Sequence, residues 1–213
     1  MTDIARILTA AHLGLSATVI LLLCAALLGA AKGPRRGLAT AGLFVVATAS
    51  TVAVMLRGDA RTITALDGLP LFVALSMTLL APPVRAVLRA LPLAALVTTP
   101  ALRLAGMDAL LAARAGWLPA HFAWTAAAIE GACGAGAVAL TVLAARRGDK
   151  ATRAIAIGSA ASLVGALATT ALAWRGVRPL PTFLGVYLGA LLPLCAAMHA
   201  AAIAAMRGGE TAR

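Results

Sequence analysis

The chain has 213 residues, of which 62% are hydrophobic and 12% charged, and its formal net charge is +11. Those proportions exclude a soluble globule. The basic residues fall between long apolar runs rather than along one face, so they read as topogenic charge and not as a nucleic-acid surface. With lipid as the solvent, only helices or closed barrels satisfy the backbone, and uncharged runs of this length lack the alternation of barrel strands. The fold class is therefore all-α, a polytopic transmembrane helix bundle forming one domain over residues 1–213.

About seven spans are expected, near residues 7–31, 37–56, 69–82, 84–104, 118–145, 154–174 and 180–206. The first follows Arg6 with 25 uncharged residues from Ile7 to Ala31, longer than a signal-peptide core, and reads as a retained span. The basic cluster from Lys32 to Arg36 closes it, and the second span is uncharged from Gly37 to Leu56. Residues 57–116 are harder, because prolines at 70, 82, 83, 92 and 100 interrupt short uncharged runs. Two thin spans around a Pro82-Pro83 turn fit if Arg85, Arg89 and Arg103 snorkel to the interfaces; a re-entrant pair fits as well. After them, Asp108 to Gly116 reads as a short surface helix, with Asp108 at its N-cap, Gly116 at C′ and Pro119 beyond.

The fifth span, from Trp117 to Ala145, holds a histidine, two tryptophans and the only glutamate inside an apolar run. Read as a helix it has two faces. His121, Trp124, Thr125 and Ala128 share one side, while Glu130, nine residues past His121, is turned roughly 180° away. Glu130 is surrounded by Ala126, Ala127, Cys133, Gly134 and Ala137, a surface of small residues suited to close contact with another helix. The sixth span carries Gly158, Ser162, Gly165 and Thr169 on one stripe, a packing seam, and the seventh is expected to kink at Pro193.

Orientation follows from the basic residues. With seven spans and the N-terminus outside, inner segments hold Lys32, Arg35, Arg36, Arg85, Arg89, Arg146, Arg147, Lys150, Arg153, Arg207 and Arg213, against seven basic residues outside. The C-terminus is then cytoplasmic. All the aromatic residues except Phe44 fall in the outer half, and Trp117 and Trp174 suit interfacial anchoring.

Few residues offer chemistry. Cys24, Cys133 and Cys195 lie far apart inside apolar runs and form no paired motif, so they read as buried thiols. Glu130 at mid-membrane is expected to be neutral unless a cation reaches it, serving as a helix-to-helix hydrogen bond or as a proton or ion site. His12, His121 and His199 are each readable as a helix-to-helix hydrogen bond or as a haem ligand. By depth His12 and His121 can pair in the outer half, within a pocket that Trp124, Phe183 and Tyr187 would line; His199 cannot join them. No nucleophile triad, zinc spacing or phosphate-binding glycine loop supports an enzyme, and no catalytic residue is assigned.

From Leu69 to Ala200 the order of features resembles the cytochrome c assembly proteins that handle haem at the outer face of bacterial membranes. The resemblance rests on a proline-led span (LPLFVALSMTLL), a Pro-broken span, GWLPAHFAWTAAAIEG with its histidine at the start of a span, a basic loop, a glycine-rich span ending in Ala-Trp174, and LCAAMHAAA in the last span. The chain is diverged: Trp174-Arg-Gly-Val-Arg-Pro179 stands where the family carries a tryptophan-rich loop with an aspartate. The resemblance implies a multi-pass protein of the bacterial inner membrane that binds or handles haem, with His121 as the outer iron ligand and His199 as the histidine of the last span. By depth, rather than by the resemblance, His12 would be the second ligand and Trp124 a neighbour of the haem. Two other expectations stand beside it: a non-catalytic scaffold subunit among other membrane subunits, and a small proton-coupled transporter built around Glu130.

Overall fold

The computed structural model describes residues 7–8, 10–11, 14–15, 91–147, 151–176 and 182–210, and among these every regular element is helical, with no strand. The spans expected at 37–56 and 69–82, most of 7–31, and His12, Cys24 and Phe44 lie outside the described residues. Four helical elements carry the architecture. Three of them contain helices long and apolar enough to cross a membrane.

The first, α1, is Leu93–Arg114. It opens as an α-helix over Leu93–Thr98, tightens into a 3₁₀ helix over Thr99–Asp108, and returns to α over Ala109–Arg114. The change of pitch has local causes. Pro100 cannot donate to the carbonyl one α-turn back, and its ring crowds that carbonyl. Thr98 and Thr99 donate their hydroxyls to the carbonyls of Ala94 and Ala95, at 2.7 and 2.9 Å, which takes those acceptors partly out of the ladder. The result differs from the sequence expectation: the chain runs helically through Asp108, which has helical dihedrals and makes no capping hydrogen bond. No separate surface helix begins there.

The end of α1 is a Schellman motif. Gly116 takes φ of +75° while its N–H donates to Ala113 and that of Trp117 to Ala112, both at 2.9 Å. Gly116 thus fills the C′ position that the sequence assigns to it, because the left-handed conformation is free of strain only without a Cβ.

Helix α2 spans Ala120–Arg147 and α3 spans Thr152–Gly176. The last element, α4, covers 182–210: an α-turn at Thr182–Val186, a π-helical segment at Tyr187–Leu191, and Leu192–Glu210. Pro193 was expected to kink this helix. The ladder widens just before it, with the Leu192 N–H donating to the Tyr187 carbonyl, five residues back. A π-turn is one way for a helix to absorb the misfit between a proline ring and the preceding turn, and it places the irregularity at Tyr187–Leu191.

Helix α2 is central, packing against α1 on one side and α3 on another. Close approach depends on missing side chains. A Cβ at Gly134 would stand 2.9 Å from the Leu104 backbone nitrogen, and one at Gly158 would stand 2.7 Å from Leu140 Cδ1. Two apolar cores result. One gathers Leu118, Phe122, Ala126, Phe183, Leu184 and Leu188, with Leu8 against them; the other gathers Leu96, Val97, Ile155, Leu194 and Met198. The polar groups considered next fall between the two.

Candidate functional site

The buried polar groups gather around Glu130, which has no exposed surface at all. It lies on the small-residue face of α2 with Ala126, Ala127, Gly134 and Ala137, all buried. His121, Trp124, Thr125 and Ala128, on the other face, are all exposed. Its partner is Arg103 of α1, only 1% exposed, which forms a bidentate ion pair: Nε donates to Oε2 at 2.7 Å and Nη2 to Oε1 at 2.6 Å. The reading of two thin spans required Arg103 to snorkel to an interface with its guanidinium in water. The structure corrects this, because the 3₁₀ geometry of α1 turns the side chain into the bundle rather than along it.

The 3₁₀ repeat of three residues per turn explains how. Pro100, Arg103 and Gly106 are buried within the segment, and Ala109 and Ala112 continue the stripe at the same spacing. In an α-helix Pro100 and Ala109 would lie on opposite sides, since nine residues turn the helix by roughly 900°. Here Pro100, Arg103 and Gly106 share one buried side, which Glu130 of α2 and Tyr187 of α4 approach. Gly106 makes room for the ion pair, as a Cβ there would stand 2.7 Å from Glu130 Cγ and 2.9 Å from the Tyr187 hydroxyl.

Helices α3 and α4 complete the shell. Thr169 of α3 donates its hydroxyl to Glu130 Oε1, and Tyr187 of α4 donates its hydroxyl to Oε2. Arg103 Nη1 donates to the Ser162 carbonyl and, at 2.9 Å, to the Ser162 hydroxyl oxygen. The stripe of Ser162, Gly165 and Thr169, expected as a packing seam, is thus a polar seam as well. Gly165 brings α3 close to both partners: a Cβ there would meet Cys133 Sγ at 2.6 Å and Arg103 Nη2 at 3.3 Å.

The chemistry of this arrangement follows from a count. A carboxylate offers about four lone-pair sites. Glu130 receives two N–H groups from Arg103, one hydroxyl from Thr169 and one from Tyr187, so each oxygen accepts two hydrogen bonds. The condition set by the sequence reading is met, since a cation does reach Glu130. The geometry is that of a bidentate ion pair, the case that the sequence reading set apart from a neutral carboxyl.

The histidines are placed apart from this cluster. His121 is exposed near the start of α2, with the neighbouring Trp124 67% exposed. Phe183 and Tyr187, expected beside His121, are turned instead into the core with Phe122. His199 is 1% exposed, and its Nδ1 lies 3.1 Å from Ser159 Oγ of α3. Gly158, next to Ser159, packs on Leu140, nineteen residues along α2 from His121. At a helical rise of about 1.5 Å per residue, His121 and His199 stand roughly 28 Å apart along the bundle. They belong to opposite ends and share no site.

Arg103, Tyr187, Thr169 and Ser162 are the polar partners that sequence reasoning did not assemble. Comparison with known protein families, with curated proteins and with solved structures yields no match.

Proposed function

We propose that this chain is a multi-pass membrane protein acting as a non-catalytic helical scaffold within a larger membrane complex, its centre fixed by the Arg103–Glu130 pair. The observation that carries this reading is the saturation of Glu130 by donors from α1, α3 and α4. A carboxyl that relays protons needs an oxygen free to accept and release them. Glu130 has every acceptor direction occupied, and its cation is a guanidinium that stays protonated in proteins. Such a network holds helices in one arrangement. It favours a structural role over the transporter reading.

The outward surface suits the same role. Trp124, Val138, Val142, Ile157, Val164 and Leu167 are exposed and apolar, a covering compatible with lipid or with neighbouring subunits. Seven spans with the N-terminus outside and the C-terminus in the cytoplasm of a bacterium belong to this proposal. Membranes solubilised in a mild detergent and resolved by native electrophoresis test it. A discrete complex with constant partners and stoichiometry is expected; a chain that migrates alone under all mild conditions would sink the scaffold.

One observation keeps haem handling as a second proposal. His121 and Trp124 are exposed side by side, so an imidazole is presented at the surface of α2 with an indole beside it. This fits one axial ligand. His12 would supply the second, and His199, buried at the other end, would not take part. Bound haem would supply electron-transfer or carrier chemistry, and the chain would bind and orient it. A Soret band in the purified protein, lost in His121→Ala and kept in His199→Ala, is the expected result. A colourless protein from haem-replete cells removes the reading.

A further inference from the structure

Farther along α4 from the ion pair lies a second level of polar groups that the pair does not use. Cys195 follows Tyr187 by eight residues, roughly 12 Å along α4. At this level the Thr98 and Thr141 hydroxyls meet at 3.1 Å, the Cys195 thiol lies 3.8 Å from the Thr99 carbonyl, and His199 Nδ1 lies 3.1 Å from Ser159 Oγ. Cys195 and His199 are both fully enclosed. His199 Nε2, however, has no hydrogen-bond partner among the described residues. A buried ring nitrogen left unsatisfied is costly and calls for an explanation.

We propose that Cys195 and His199 bind one soft monovalent cation of the Cu(I) or Ag(I) type, with Cys195 Sγ and His199 Nε2 as its two ligands. Three features carry this. First, the residues are spaced i, i+4 on the α-helical part of α4, the spacing at which a helix presents two ligands to one metal. Second, Ser159 sits where Nδ1–H can donate to its oxygen, which leaves the Nε2 lone pair free as a donor; an outer hydrogen bond of this kind orients metal-bound imidazoles. Third, the donor set is one thiolate and one imidazole, and soft thiolate selects monovalent copper.

Charge and coordination number point the same way. A monovalent cation with one thiolate and one neutral imidazole has no net charge, whereas a divalent ion would leave a positive charge in the apolar interior. Among the described residues no group of three His, Cys, Asp or Glu side chains is placed to hold a metal, which suits two-coordinate binding over tetrahedral zinc. On binding, the S–H bond breaks, the sulfur–metal bond forms, and the proton leaves to bulk solution. No electron is transferred. The site is independent of both the scaffold and the haem readings, since it uses neither the ion pair nor His121.

The test is titration of the purified full chain in detergent with Cu(I) buffered by a competing chromophoric chelator. One equivalent should bind, with thiolate-to-copper absorption in the ultraviolet. Cys195→Ser and His199→Ala should each weaken binding by about a hundredfold or more, and Ser159→Ala by roughly tenfold, as expected when an outer hydrogen bond is lost. Cys133→Ser should bind as the parent does. Absence of stoichiometric binding overturns the proposal, as does binding that survives Cys195→Ser or disappears in Cys133→Ser. If the ligand variants do not fold, X-ray absorption on the copper-loaded parent chain decides: one sulfur and one nitrogen neighbour are expected, and a sulfur-only shell overturns the assignment.

Discussion

Glu130→Gln is the most informative single change. The substitution keeps the shape of the side chain but removes the charge that balances a guanidinium 1% exposed. It also replaces one acceptor oxygen with an N–H group that faces Arg103 and either Thr169 or Tyr187. The two hydroxyls can turn to other acceptors, but Arg103 cannot shed its proton. Removing one partner of a buried pair costs about 3–5 kcal/mol. At roughly 1.4 kcal/mol per tenfold, that is two to four orders of magnitude in the folding equilibrium. Arg103→Met should cost less, because an orphaned carboxyl can take up a proton and become neutral. The double variant Arg103→Met/Glu130→Gln should be more stable than Glu130→Gln alone. Reversible unfolding in mixed micelles measures all three, and the cycle should give a coupling of about 2 kcal/mol or more. Additive single effects, or a Glu130→Gln protein within about 1 kcal/mol of the parent, would falsify the ion-pair account and restore a neutral acid.

The same assay checks the glycine that seats the pair. Gly106→Ala would push a Cβ to 2.7 Å from Glu130 Cγ and should cost about 1–3 kcal/mol, the range for overpacking. Gly136→Ala is the control: nothing lies within 4 Å of its Cβ, so better helix propensity should leave the protein unchanged or up to about 1 kcal/mol more stable. Tyr187→Phe, which removes one donor to a charged acceptor, should cost roughly 1.5–3 kcal/mol; no loss would mean that the hydroxyl does not serve the carboxylate. A reporter fused at Gly208 should be cytoplasmic, and an external signal would reverse the orientation drawn from the basic residues.

Much of the fold was legible because hydropathy and helix periodicity act locally. The ends of α2 and α3 follow from where charge interrupts the apolar runs, and the two faces of α2 follow from the size of the side chains around Glu130. What was not legible was the pitch of each helix. Pro193 was read as a kink because a proline in an α-helix breaks a hydrogen bond. The widening at Tyr187–Leu191 is a form of the same steric problem that hydropathy and periodicity do not specify. Asp108 was read as a cap because aspartate before an apolar run is a frequent start signal. Burial of Ala109 and Ala112 against the core outweighed that preference and carried the helix through.

The partner of Glu130 was missed for a more instructive reason. Arg103 stands at the end of a short apolar run, where a long basic side chain ordinarily reaches for the interface. That reading assumes α-helical phase. With 3.6 residues per turn, Pro100, Arg103, Gly106, Ala109 and Ala112 drift around the helix and define no face. With three per turn Pro100, Arg103 and Gly106 form a straight row that leads into buried Ala109, and the row contains one charge among residues small enough to let another helix close over it. The row was visible in the sequence as a repeat of three. A basic residue on such a repeat, beside Pro100 and two threonines able to bond their own backbone, is better assigned inward, toward whichever helix carries the unpaired acid. Glu130, the only glutamate within the apolar runs, is 27 residues away across a tight turn and meets that description.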